Sequence, residues 1–128
     1  MLHRIKLMVD YCCPPVWWDD GYRVGPVELS DLPITRELRD RLGRWADMYD
    51  STLDMNYPPD SGFENVSDFL AFDDEGEQLW LSLISELSPD YDVLYRSARS
   101  TKVLSNPAEL ADLPPARDVA SDNLRKPQ

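Results

Sequence analysis

The middle of the sequence lacks basic side chains: residues 46–95 contain no Lys and no Arg, but they carry thirteen acidic residues. Residues 1–45 balance seven basic with seven acidic residues, and residues 96–128 carry six basic and four acidic ones. The middle therefore accounts for the whole net charge of −11. Because an acidic protein is repelled by nucleic acid and by anionic membrane surfaces, this charge favours a basic protein partner. Acidity that serves only solubility is the alternative.

Other absences exclude several kinds of site. The five glycines are scattered, so there is no phosphate-binding glycine loop. One His and the adjacent pair Cys12 and Cys13 do not supply the four spaced ligands of a zinc site, and two reduced thiols are expected. No apolar run reaches the length of a membrane span, and charges interrupt the first residues where a signal peptide would be apolar. We expect a cytoplasmic protein with no cofactor and no metal.

Alternating apolar residues predict two strands. Ile5, Leu7, Val9 and Tyr11 share one face of a strand near residues 4–11, and a similar pattern predicts a strand near 91–98. Between them, residues 16–24 contain an Asp-Gly turn flanked by aromatic and β-branched residues, which indicates a short hairpin. The competing interpretation of this segment is a loop folded over the core.

Apolar residues at three- and four-residue spacing predict two amphipathic helices, at about residues 35–53 and 67–87. Thr35 is the expected cap of the first helix. The segment 73–77 interrupts the second pattern and has the spacing of a capping box, so the helix either breaks there or continues. In a continuous helix, Gly76 falls in the buried stripe and allows close approach of the partner helix.

The predicted fold is α+β, a small sheet with both helices packed on one face. Strand, two helices and strand form a crossover unit, which makes the two strands parallel. Residues 1–104 are predicted to form one domain. Residues 105–128 contain prolines and few large apolar residues, so we expect a C-terminal tail with at most one short helical turn.

Two groups of residues are candidates for partner binding. The first joins aromatic and acidic side chains in the hairpin, since an exposed Trp beside acids suits a basic partner. The second consists of acids on the outer faces of the two helices. Together the candidates are Trp17, Trp18, Asp19, Asp20, Asp47, Asp74 and Glu75. Catalysis by paired carboxylates, at Asp10 or at residues 73–77, is a weaker interpretation because acids in a first helical turn also satisfy the helix dipole.

The sequence resembles a group of small bacterial proteins without an established activity. The resemblance lies in the run from Leu7 to Trp17, which reads LMxDYxCxPxW, in the helical Trp45 with Tyr49-Asp50, in GxxLW at residues 76–80, and in the strand at 89–95. It covers residues 4–97 and implies a bacterial origin and no catalytic residues. In size and charge the chain is also similar to the immunity partners of secreted toxins.

The predicted function is therefore that of a small acidic binding protein, an immunity-type inhibitor that docks a basic toxin domain through its acidic middle. A housekeeping domain without a dedicated partner and a small carboxylate-dependent enzyme are the alternatives.

Overall fold

The computed structural model describes residues 2–126; Met1 and residues 127–128, the end of the predicted tail, lie outside the described residues. The strands are β1 (His3–Leu7), β2 (Val16–Trp18), β3 (Tyr91–Arg96) and β4 (Val103–Leu104). The α-helices are α1 (Arg36–Asp50), α2 (Val66–Leu87) and the short α3 (Ala116–Val119). Short 3-10 turns lie at Leu29–Asp31, Pro58–Asp60, Pro107–Asp112 and Ala120–Asn123.

The four strands form one mixed sheet in the order β2-β1-β3-β4. β1 and β3 are parallel, with Ile5 opposite Val93, as the crossover argument predicted. β2 is antiparallel to β1, and β4 is antiparallel to β3. The α+β prediction is confirmed, although β4 was not foreseen.

β1 ends at Leu7, before the predicted residue 11, because the backbone of the next residue, Met8, forms hydrogen bonds to residues outside β3. The amide of Met8 donates to the carbonyl of Pro15, and the carbonyl of Met8 accepts from the indole nitrogen of Trp17. The predicted hairpin forms around Gly21, which has a φ of 91°. Its arms are β2 and residues 25–27, joined by a bond of 3.0 Å from the amide of Trp18 to the carbonyl of Gly25.

Both predicted long helices are present with slightly different ends. The Thr35 hydroxyl caps α1 by accepting from the Leu38 amide. α1 ends at Asp50 rather than 53, because the hydroxyls of Ser51 and Thr52 bond to the carbonyls of Met48 and Tyr49. α2 begins at Val66, one residue early, because the Asn65 side chain caps it.

α2 is continuous through residues 73–77, and Gly76 lies among its buried residues. A Cβ at Gly76 would lie 2.6 Å from the Tyr95 hydroxyl and 2.8 Å from the Trp45 ring. The glycine therefore lets α2 approach α1 and β3 closely, which is the second of the two alternatives.

The core lies between the helices and the sheet, with α1 packed on α2 and α2 packed on β3. Trp45 on α1 and Trp80 on α2 are buried. Their indole nitrogens donate to the carbonyls of Phe72 and Val93, both at 2.9 Å. The indole N–H groups of both buried tryptophans are therefore hydrogen-bonded within the core.

The C-terminal segment packs against the core instead of forming a loosely attached tail. Ala120 is fully buried. The Phe63 amide donates to the Asn123 carbonyl, and the Arg125 amide donates to the Phe63 carbonyl. Partly buried apolar side chains add to this contact: Leu110, Leu113, Ala116, Val119 and Leu124. The predicted domain boundary at residue 104 concerns independent folding, and it stays a prediction that truncation tests.

Candidate functional site

The helix acids of the predicted partner site differ in the charge that they present. Asp47 on α1 and Asp74 on α2 are exposed. Glu75 is half-buried, and its carboxylate accepts a hydrogen bond of 2.7 Å from the Arg41 guanidinium across the two helices. This bond raises the pKa of Arg41, so both side chains stay charged and their opposite charges cancel. Asp47 and Asp74 therefore supply more of the surface charge than Glu75 does.

The hairpin tryptophans are half-buried, and each has a partner within the chain. The Trp17 indole nitrogen donates to the Met8 carbonyl at 2.9 Å. The guanidinium carbon of Arg23 lies 3.6 Å from the centre of the Trp18 ring, a cation–π contact. Their role in partner binding stays a prediction.

The hairpin acids are also engaged locally. The Asp20 carboxylate and Arg23 form an ion pair of 2.6 Å. Burial opposes the charge of Asp20, but hydrogen bonds from Arg23 outweigh it and lower the pKa of this carboxyl. Asp19 is half-buried, and its amide donates to the carbonyl of Arg4. The exposed side chains of the hairpin tip are instead Tyr22 and Val24, which the sequence analysis did not single out.

Within residues 2–126, the hydrogen bonds and ion pairs of the structure do not join these hairpin residues to the helix acids. The seven predicted residues thus fall on three elements: the hairpin, α1 and α2. Only Glu75 is tied to another helix, through Arg41.

Two grooves border the outer side of α1. Groove A has a volume of about 540 Å³ and lies between α1 and the segments 12–15 and 28–30. It contains Asp47, Asp50 and the two cysteines, both free thiols. The Asp50 carboxylate accepts from the Cys12 amide, and burial together with the charge of Asp10 raises the pKa of Cys13. A raised thiol pKa disfavours the reactive thiolate.

Groove B has a volume of about 360 Å³ and lies between the last turns of α1 and the first turns of α2. Its lining combines apolar and acidic side chains. Phe63 at its base is buried, whereas Met48 and Ala71 on the helices are exposed. The residues that form it include Met48, Thr52, Phe63, Glu64, Asp68 and Ala71.

Exposed apolar side chains are concentrated near groove B. Met48, Met55, Tyr57 and Val66 are four of the nine large apolar residues that are exposed among the described residues. The sequence analysis assigned no role to the residues between the two predicted helices and missed this concentration. The available signal was two methionines and a tyrosine next to the apolar stripe, within the stretch that has no Lys or Arg.

The carboxylates of the enzyme alternative form a buried ion cluster. Asp73 bonds to the Arg99 guanidinium at 3.1 Å, and Glu77 pairs with the same guanidinium. Burial raises the pKa of Asp73, and the charge of Arg99 opposes this. These pairs tie α2 to the segment after β3, and Arg99 also donates to the Pro114 carbonyl in the C-terminal segment. Sequence analysis missed Arg99, which lies more than twenty residues from either acid.

In the part of the chain that the structure describes, no group of three or more His, Cys, Asp or Glu is placed to hold a metal ion. No helix among those residues is long and apolar enough to span a membrane.

Comparison with sequence families gives a match over residues 3–98 to the family described as Serratia CdiI immunity protein-like. The match extends from β1 through both long helices to the end of β3. A search of curated proteins gives no match.

Proposed function

The chain belongs to the Serratia CdiI immunity protein-like family, and on this premise we propose that it is an immunity protein that binds and neutralises a toxin domain. The family match supports the immunity-type role. The basic character of the toxin domain and the surface that binds it are further parts of the proposal.

The observation that carries the proposed partner is the segregation of charge. The stretch 46–95 contains the last turn of α1 and all of α2, and it has thirteen acidic residues and no basic one. Opposite charge raises the rate of protein association by steering the encounter, which suits an inhibitor that must capture a toxin quickly. A basic toxin domain is the partner that this surface would attract.

Among the predicted site residues, Asp47 and Asp74 carry the electrostatic proposal because both are exposed. Glu75 contributes through its pair with Arg41. The hairpin residues Trp17, Trp18, Asp19 and Asp20 form a second proposed contact region. Because Arg23 already covers the Trp18 ring, the hairpin would contact the partner mainly through shape complementarity and not through charge.

We propose a cytoplasmic location for the protein. The two free cysteines support it, because adjacent reduced thiols are typical of a reducing compartment. An immunity protein in the cytoplasm would meet a toxin domain after that domain enters the cell.

The test is charge reversal of Asp47 and Asp74 to Lys, measured against a candidate toxin domain sought among the genes that neighbour the gene of this chain. The matched control reverses Asp112 and Asp118, two exposed acids outside the family match, and changes the net charge equally. Circular dichroism should show both variants folded, since exposed charges contribute little to stability. At low salt the association rate of the first variant should fall about tenfold or more, and the loss should shrink near ~0.5 M salt.

Equal slowing by the control would show that only net charge matters and would remove the helix surface from the proposal. Absence of binding by the parent protein would overturn the immunity role for this toxin. The charge would then serve solubility, as in the housekeeping alternative.

A further inference from the structure

We propose that groove B is the docking site for an apolar side chain carried on a basic segment of the partner. This inference rests on the proposed function and names the part of the acidic surface that the toxin domain enters. Three independent features of groove B support it: a preformed shape, the charges of its lining, and the apolar side chains around it.

The walls of groove B are held in place by the fold. The Gly62 amide donates to the Thr52 carbonyl at 3.0 Å, which closes the loop between the helices. A Cβ at Gly62 would lie 2.5 Å from the backbone of Leu124, so the C-terminal segment packs directly behind this loop. A preformed groove loses little conformational entropy on binding, which favours tight association.

The opening of the groove suits an apolar side chain. Ala71 leaves space on α2, and Met48 on α1 has a flexible thioether that adapts to different shapes. Phe63 provides a buried aromatic base. Such a pocket takes an aliphatic or aromatic anchor, the kind of residue that dominates binding energy at interfaces.

The lining charges favour a basic residue beside that anchor. Glu64 and Asp68 are the charged residues of the lining, and both are acidic. Arg44 lies one turn before Met48 on α1, and the backbone amides of Arg125 and Lys126 bond to the carbonyls of Phe63 and Asp60, but none of these three residues lines the groove. A Lys or Arg next to the anchor would therefore meet the negative charges of the lining.

The surroundings supply further contact area. Met55 and Tyr57 are 81% and 56% exposed, and both lie in the loop that leads to the groove. Val66 begins α2 at its edge and is also exposed. Exposed apolar side chains that are grouped and rimmed by acids mark a protein-binding surface, whereas isolated ones do not.

Ala71→Arg tests the groove, with Ser85→Arg as its control. Both positions are exposed on α2 and both changes add one positive charge to the same helix, but Ser85 lies near its other end. The dissociation constant for the toxin domain should rise at least about 30-fold for Ala71→Arg, the loss typical of a blocked hot spot. For Ser85→Arg it should rise less than about threefold, as expected of a rim charge.

Methionine methyl NMR on the unmodified chain locates the partner directly. Of the four methionines, Met48 lines groove B and Met55 lies in the loop, whereas Met8 lines a second cavity that shares Phe63 with groove B. Adding the toxin domain should shift or broaden the Met48 signal more than that of Met8.

The outcomes separate the two proposals. If the parent chain does not bind the toxin domain, the proposed function fails and this inference falls with it. If the parent binds and both Arg variants bind equally well, only the groove assignment is overturned. A shift of Met8 without a shift of Met48 would place the partner elsewhere on the chain and also overturn it.

Discussion

Replacing Gly76 by alanine tests the close approach of α2 to α1 and β3. The new methyl group would lie 2.6 Å from the Tyr95 hydroxyl and 2.8 Å from the Trp45 ring. Both neighbours are buried, and Trp45 is held by its indole bond to the Phe72 carbonyl. Neither side chain can therefore move away without disturbing the core.

Two effects of opposite sign determine the magnitude. In a helix interior, alanine is more favourable than glycine by about 1 kcal/mol. Extra volume in a filled core typically costs about 1–3 kcal/mol. Gly43 on α1 measures the first effect alone, because a Cβ there would meet no atom within 4 Å. Gly43→Ala should raise the free energy of unfolding by up to about 1 kcal/mol, and Gly76→Ala should lie about 1–3 kcal/mol below it.

Urea unfolding followed by tryptophan fluorescence measures both variants. The difference between them cancels the helix propensity and leaves the cost of crowding Trp45 and Tyr95. Equal stabilisation by the two alanines would refute the reasoning, since it would mean that α2 has room for a side chain at Gly76. A change in the denaturant slope would instead indicate an altered native or unfolded state.

Three further predictions concern stability. Truncation after Leu104 removes the buried Ala120 and the side chains packed with it, so the free energy of unfolding should fall by about 2–5 kcal/mol; a thermal midpoint within a degree of the parent's would support an independent domain at residues 1–104. Because burial raises the pKa of Asp73, its contribution to stability is present at acidic pH and is lost as pH rises through the folded value. Asp73→Asn cannot ionise, so its stability relative to the parent should improve from pH 4 to pH 7 in urea titrations, and a difference independent of pH would contradict this. Cys13→Ser should remain soluble and folded by circular dichroism, with a loss of about 1 kcal/mol for a half-buried thiol; insolubility would show a larger role for that side chain.

Local patterns predicted the long helices and the parallel strands because the residues involved bury one face. The apolar stripe fixed α1 and α2 within three residues at each end, and Thr35 acts as the expected cap. Close approach at Gly76 was one of two predicted alternatives, because the sequence does not show whether a helix continues through an acidic segment.

The C-terminal packing escaped prediction because its apolar residues follow no regular period. They lie on 3-10 turns and one turn of α-helix around Pro114 and Pro115, so neither a helical nor a strand pattern emerges. β4 has only two residues, too few for a periodic signal.

The candidate site was predictable in charge but not in detail. Sequence showed which acids lie outside the apolar stripes, and Asp47 and Asp74 are exposed. It could not show that Arg41 pairs with Glu75, or that Arg23 covers Trp18, because these contacts depend on tertiary geometry. Groove B likewise arises from the spacing of two helices, which no local pattern records.

The pairing of β1 with β3 has a consequence for the time at which protection begins in a growing cell. Ile5 and Leu7 are fully buried in the finished fold, yet their neighbours on β3 lie 88 residues further along the chain. At about 5–20 residues per second, a ribosome needs roughly 4–18 s to make that stretch. Both helices of the proposed docking surface leave the ribosome before the strand that completes the sheet beneath them. In the proposed role, a newly made copy could capture a toxin domain only after β3 emerges, so protection would lag behind synthesis by at least that time.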